Sequence, residues 1–164
     1  MRLSKNFTLQ ELTHSNTAVR LGIENTPDKE GIWNLTLLAT ELLQPIRDRI
    51  GALRVTSGYR SPELNAIFGA NRSQHMLCEA VDLQFVKRGK MDNLQIYQAV
   101  IDLDLDFDQL ILEFGDSTQY NDPMRPAWIH ISWTVRENRK QVLVAYKDEN
   151  NKTKYRPINT LNSI

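Results

Sequence analysis

From Ile32 onward the apolar positions fall at helical spacing: Ile32, Leu35, Leu38, Ala39, Leu42, Leu43 and Ile46 make one stripe. The stripe predicts a long helix after "NTPDKEG", with Thr26 as its cap, Pro27 in its first turn and Asp28 facing the positive end of its dipole. Pro45 kinks or interrupts the far end, and Gly51 stops it. The pattern then shortens. "LRVTS" reads as a strand running into the turn "GYR", and "SPELNAIFG" as a short helix capped by Ser61, started by Pro62 and closed by Gly69. "EAVDLQF" reads as a strand and "MDNLQIYQAVIDL" as a helix. "FDQLILEF" and "AWIHISWTV" are two more strands, and "QVLVAYKD" is expected to pair with its predecessor through the polar turn "RENRK". The tail from Glu149 is polar and weakly patterned. Helices come early and strands cluster late, which predicts an α+β fold: a small, mainly antiparallel sheet with helices packed on one side.

Composition narrows the classes. The 164 residues suit one domain spanning 1–164, with no repeat or Gly/Ser linker at which to divide it. Twenty basic residues balance twenty acidic ones, so no overall charge draws the chain to nucleic acid or to an anionic membrane. The lone cysteine, Cys78, excludes an internal disulfide framework. "MRLSKNFTLQELTHSN" has no apolar run of a secretory signal, and no later stretch is long enough to span a bilayer. The expectation is a soluble protein, cytoplasmic as synthesised, with no membrane insertion and no nucleic-acid partner.

Of the three histidines, His14 lies in a polar stretch and reads as a surface residue. In "AWIHISWT", period-two alternation sets Ile129, Ile131 and Trp133 on the core face and Trp128, His130, Ser132 and Thr134 on the other. The same rule places Asp82 with Ala80 and Gln84, opposite Val81, Leu83 and Phe85. His130 and Asp82 can therefore meet on one sheet face, with His75 delivered from the loop before Asp82. Such a trio is either a three-ligand metal set with a fourth position open to water, or a group of ordinary hydrogen-bonded side chains.

"SGYRSPELN", "SQHMLCEAVDLQ" and "WIHIS", in that order, resemble the three motifs of the zinc D-alanyl-D-alanine carboxypeptidase and dipeptidase family, met in bacteria and their phages. "NFTLQELTHSNTAVRLGIENTP" and "FDQLILEFG" resemble phage and bacterial members too, so the likeness covers about Leu3 to Trp133. It implies the compact α+β architecture of the DD-peptidase/hedgehog-like fold, and one Zn2+ ion bound by His75, Asp82 and His130. It also implies that Arg60 serves the substrate, by holding the carbonyl oxygen as it becomes an oxyanion or by gripping a C-terminal carboxylate. The competing reading of Arg60 is a structural ion pair. Ser73 is read either as a contact to substrate backbone or as the residue that turns its loop. The substrates implied are peptidoglycan stem peptides ending in D-alanine, cut by a carboxypeptidase or a related endopeptidase.

Two positions depart from the family pattern. Many members carry the general base three residues before the last histidine ligand, where this chain has Ala127. Glu113, on the same strand face as Gln109 and Ile111, is the expected replacement, against the alternatives of an exposed glutamate or a partner for Arg60. Asp116 and Asp122 come next. Cys78 stands where the family usually has glycine, so it adopts ordinary geometry or bears backbone strain, and its thiol is either buried and inert or a fourth ligand that closes the metal site. Together these departures motivate a second expectation, a catalytically impaired zinc-binding structural or cell-wall-binding module.

Overall fold

The computed structural model describes residues 1–69, 72–115 and 124–158. Two short helices, α1 (Leu9–Thr13) and α2 (Asn16–Leu21), precede α3 (Lys29–Leu38), which continues through a π-helical turn (Ala39–Leu43) into α4 (Gln44–Ile50). β1 (Leu53–Ser57) and α5 (Pro62–Ile67) follow, then β2 (Ala80–Lys87), β3 (Lys90–Met91) and α6 (Leu94–Asp102). β4 (Gln109–Gly115), β5 (Pro126–Ser132), β6 (Gln141–Lys147) and β7 (Thr153–Pro157) complete the order. The described strands form an open seven-stranded sheet in the order β1-β2-β5-β4-β6-β7, with β3 on the end of β2. Every pairing is antiparallel except β4 with β6.

The helix stripe is real, but its start and middle differ from expectation. Asp28, not Thr26, is the cap: its carboxylate accepts from the Gly31 N–H at 2.8 Å, and Pro27 belongs to the extended chain before it. An ionised cap at the positive end of a helix is stronger than a hydroxyl two residues upstream. Pro45 has no N–H to give Glu41, and its ring would crowd that carbonyl. The π-turn just before it absorbs the mismatch, the Gln44 N–H reaching back to Ala39. Gly51 ends α4 at φ +109.

One face of the sheet is closed by these helices. Leu35, Leu38, Leu42 and Ile46 are fully buried and share one cluster with Val81, Leu83, Leu110, Leu112, Ile129 and Ile131, the inward residues of β2, β4 and β5. Each such side chain stabilises the fold by roughly 1.5–3 kcal/mol relative to exposure. The opposite face carries Asp82, His130 and Glu113.

Two expectations about the strands are corrected. β6 does not pair with β5, because β2 and β4 occupy both edges of β5; it crosses beyond β4 and pairs with it in parallel. Phe114 does not join Leu110 and Leu112 in the core. Its backbone takes φ +35, which breaks the alternation and turns the ring to the other face, beside Ile111, Leu143 and Ala145.

The "SGYR" turn is pinned by its glycine. A Cβ at Gly58 would lie 2.1 Å from the Leu12 carbonyl oxygen, a backbone atom that cannot move aside alone, and the Tyr59 N–H donates to that same oxygen at 2.8 Å. Gly58→Ala is therefore expected to destabilise the protein by at least about 2 kcal/mol, read from the midpoint of urea unfolding.

Candidate metal centre

Register assembles the site. Asp82 on β2 lies directly across from His130 on β5, which lies across from Ile111 on β4. Two residues further along the same face, Trp128 sits across from Glu113. His75 arrives from the turn that enters β2. There the Glu79 N–H bonds the Gln74 carbonyl at 3.0 Å and the Cys78 N–H bonds the His75 carbonyl at 3.3 Å, with Cys78 left-handed at φ +59. This is the Schellman pattern, in which the left-handed residue is usually glycine.

The three side chains are buried, and their ligand atoms lie within 4.8 Å of one another. Asp82 Oδ1 is 3.3 Å from His75 Nε2 and 3.1 Å from His130 Nδ1. A tetrahedral zinc ion with bonds of about 2.0–2.2 Å holds its ligand atoms about 3.3 Å apart, so these spacings fit one ion. The His75 tautomer adds a chemical argument. Its Nδ1 lies 2.7 Å from the Gly58 carbonyl, which can only accept, so the proton sits on Nδ1 and a bare lone pair on Nε2 faces the carboxylate. Two lone pairs that close need a proton or a cation between them, and burial drives the His75 imidazole toward its neutral form. Burial opposes ionisation of Asp82 as well, but the charge and hydrogen bonds that the two imidazoles offer when protonated outweigh it and hold its carboxyl well below the usual carboxylate range, and a cation between them would do the same. Two neutral imidazoles and one carboxylate are a donor set suited to zinc.

Arg60 is an ion-pair partner. Its Nη2 donates to Asp82 Oδ2 at 2.9 Å and its Nε to Ser57 Oγ at 2.9 Å, while the guanidinium stacks over Phe68 at 5.0 Å. The other oxygen of Asp82 is thus fixed from behind. Glu113 is buried, not exposed, and desolvation pushes its carboxyl up to about 7. Ser73 serves its turn, its hydroxyl accepting from the His75 N–H at 3.3 Å. His14 lies on the surface beside Asn16, as expected. Asp116 and Asp122 lie outside the described residues.

The Cys78 question resolves in favour of strain. Its thiol is buried against Gly31, 2.8 Å from where a Cβ there would sit, and burial pushes it up to about 12. Its sulfur lies outside the group of mutually close ligand atoms, which among the described residues is His75, Asp82 and His130. Cys78→Gly is expected to leave zinc affinity unchanged in a chelator competition. It should shift stability by less than about 1 kcal/mol, since relief of left-handed strain offsets the lost thiol packing.

The site opens into a cleft of about 1140 Å³, lined also by Phe114, Trp128, Leu143 and Tyr155. Phe114 and Trp128 meet edge to face at 5.4 Å, and Lys147 Nζ lies 5.0 Å from the Phe114 ring. Tyr155 shares a row with Glu113 through Ala145, and its phenol is raised first by burial, then by the Glu113 and Asp82 carboxylates. Sequence reading missed Tyr155, because a polar five-residue strand carries little pattern. It also missed the Gly58 carbonyl and Ser57, since "SGYR" shows its arginine but not which backbone atom faces a histidine.

The family model described as Peptidase M15 matches residues 5–132. No curated protein and no solved structure matches the chain.

Proposed function

The chain belongs to the Peptidase M15 family, and from that premise we propose that it hydrolyses peptide bonds next to D-alanine in bacterial cell-wall peptides, as a carboxypeptidase or an endopeptidase. The family is zinc-dependent and acts on peptides, and His75, Asp82 and His130 form a buried group able to hold the ion. The observation that carries the reading is the bare Nε2 of His75 aimed at Asp82 Oδ1 on the floor of an open cleft. When bound there, zinc supplies Lewis-acid polarisation of water and of the scissile carbonyl.

The chain's own groups do the rest. Glu113 takes the proton of the attacking water at a carboxylate oxygen and delivers it to the leaving amine nitrogen. Burial raises its carboxyl to about 7 in the metal-free protein and a bound dication would lower it from there, which suits a base that is ionised at neutral pH. Arg60 spends two of its five N–H donors on Ser57 and Asp82, and lines the cleft where a carbonyl oxygen or terminal carboxylate would lie. Ser73 borders the same cleft and would meet substrate backbone there. Glu113 would stand in for the base that Ala127 cannot supply. Three residues before His130 on a regular strand, the Ala127 side chain points to the opposite face, so the site-facing carboxylate comes from β4.

Ala127 remains the feature that favours the second reading, a module that binds zinc and cell wall without turnover. One experiment separates the two: metal analysis with mass spectrometry of purified peptidoglycan treated with the wild type and with Glu113→Gln. The proposal expects one zinc per chain in both, and new peptide ends beside D-alanine with the wild type alone. Zinc-loaded wild type that leaves the peptides whole would establish the second reading, and full activity in a metal-stripped sample would sink the first.

A further inference from the structure

Residues 134–141 lie beyond the stretch matched by the family, yet they grip both ends of the turn that carries His75. At its downstream end, Glu79 is buried and accepts from Thr134 Oγ1 at 2.9 Å and from Arg136 Nη2 at 2.7 and 2.8 Å. At the upstream end, Gln74 Nε2 donates to Asp108 Oδ2 at 2.7 Å. Asp108 is also buried, and Arg139 holds it through a fork, Nε to Oδ1 at 2.7 Å and Nη2 to Oδ2 at 2.6 Å. Gln74 and Glu79 are themselves joined by the bond that closes the Schellman turn.

We infer that the segment from Thr134 to Gln141 is the brace that holds His75 in its ligating position, with Arg136 and Arg139 as positioning residues. The inference rests on the reading of His75 as a zinc ligand. His75 sits on a turn, not on a strand; the β2–β5 ladder reaches only the turn's last residue, where the Trp133 N–H donates to the Glu79 carbonyl at 2.9 Å, while the Arg60 N–H donates to the His75 carbonyl at 3.2 Å. The Gly58 carbonyl fixes the rotation of its ring. The side chains at the two ends of the turn, Gln74 and Glu79, are fixed through the two ion pairs, whose acidic residues are 5 % and 4 % exposed beneath arginines that face solvent on their outer side. The polar "RENRK" stretch, which reads as a plain hairpin turn, thereby acquires a role at the metal centre.

Gln74→Met tests this, because it keeps the bulk of the side chain and removes only the donor to Asp108, leaving the Asp108–Arg139 pair intact. Arg136→Lys, which keeps the charge but loses the two-pronged contact, probes the other end. Zinc affinity is read by chelator competition, ligand geometry by the visible spectrum of the cobalt-substituted protein, and folding by thermal unfolding of the metal-free protein. The expected result is about tenfold weaker zinc binding and an altered cobalt spectrum in both variants, the scale of losing a partner that orients a ligand. The metal-free unfolding temperature of Gln74→Met should stay within about 2 °C of the parent, the change expected for less than 1 kcal/mol in a chain this size. Parental zinc affinity and spectrum in both variants would overturn the brace while leaving the zinc site standing. A parent protein that binds no zinc would overturn both.

Discussion

Replacing His75 with alanine is expected to remove zinc and peptidase activity together, with bound metal falling from one ion per chain to background. Partners that merely orient a zinc ligand cost about 10–100-fold in affinity when lost, and His75 is itself one of three donors, so its loss must exceed that range. Asp82→Asn should act in the same direction for a different reason. It keeps the shape and the contact with Arg60, but removes the charge that offsets a dication between two neutral imidazoles. The check is metal analysis after gel filtration, alongside hydrolysis of a D-Ala-D-Ala peptide. Retention of one tightly held zinc by His75→Ala would remove the assigned ligand set.

Glu113→Gln is the second large effect expected: a fall in kcat of about 10²–10⁴ with zinc content unchanged, the range typical of losing a positioned acid–base group. The same substitution should reveal itself without substrate. The Glu113 carboxyl is raised from 4.5 to about 7 in the folded protein, so the native state keeps its proton over a range where the unfolded chain has released it. Stability from this group is therefore complete below about pH 4.5 and is lost as pH rises toward 7. A shift of that size is worth about 3 kcal/mol. The metal-free wild type should lose stability relative to Glu113→Gln across that window in urea titrations at successive pH values. Parallel curves for the two proteins would mean that Glu113 is not held in a desolvated place. A bound dication favours the carboxylate, so the acid limb of kcat should fall below pH 7.

The faces of the central strands were legible because alternation is a local property. Val81 with Leu83, Ile129 with Ile131, and Leu110 with Leu112 each marked the core side, which set Asp82, His130 and Glu113 on the other. Neighbours are not local in that sense. A period of two says which way a side chain points and nothing about which strand lies alongside, so the parallel pairing of β6 with β4 was not there to be read. Phe114 escaped because one residue at φ +35 reverses the pattern without a glycine to announce it. Cys78 hid the same kind of turn behind a residue that rarely adopts it. The Arg60 motif was visible, while its partner on the metal side, Asp82, followed only once Ser57 and Gly58 were placed.

The parallel pairing of β4 with β6 also bears on how the chain is made. β4 is an internal strand whose far edge is closed by residues 141–147, synthesised some thirty residues later. Until those residues leave the ribosome, β4 offers a row of unpaired amides beside the apolar Ile111, the kind of edge that recruits strands from other chains. A version ended at Trp133, where the family match has just stopped, would keep all three metal-site residues and still be prone to precipitate. β7, the edge strand among the described residues, is short, carries Lys154 and Arg156, and ends in Pro157. That composition discourages further strands from pairing with it.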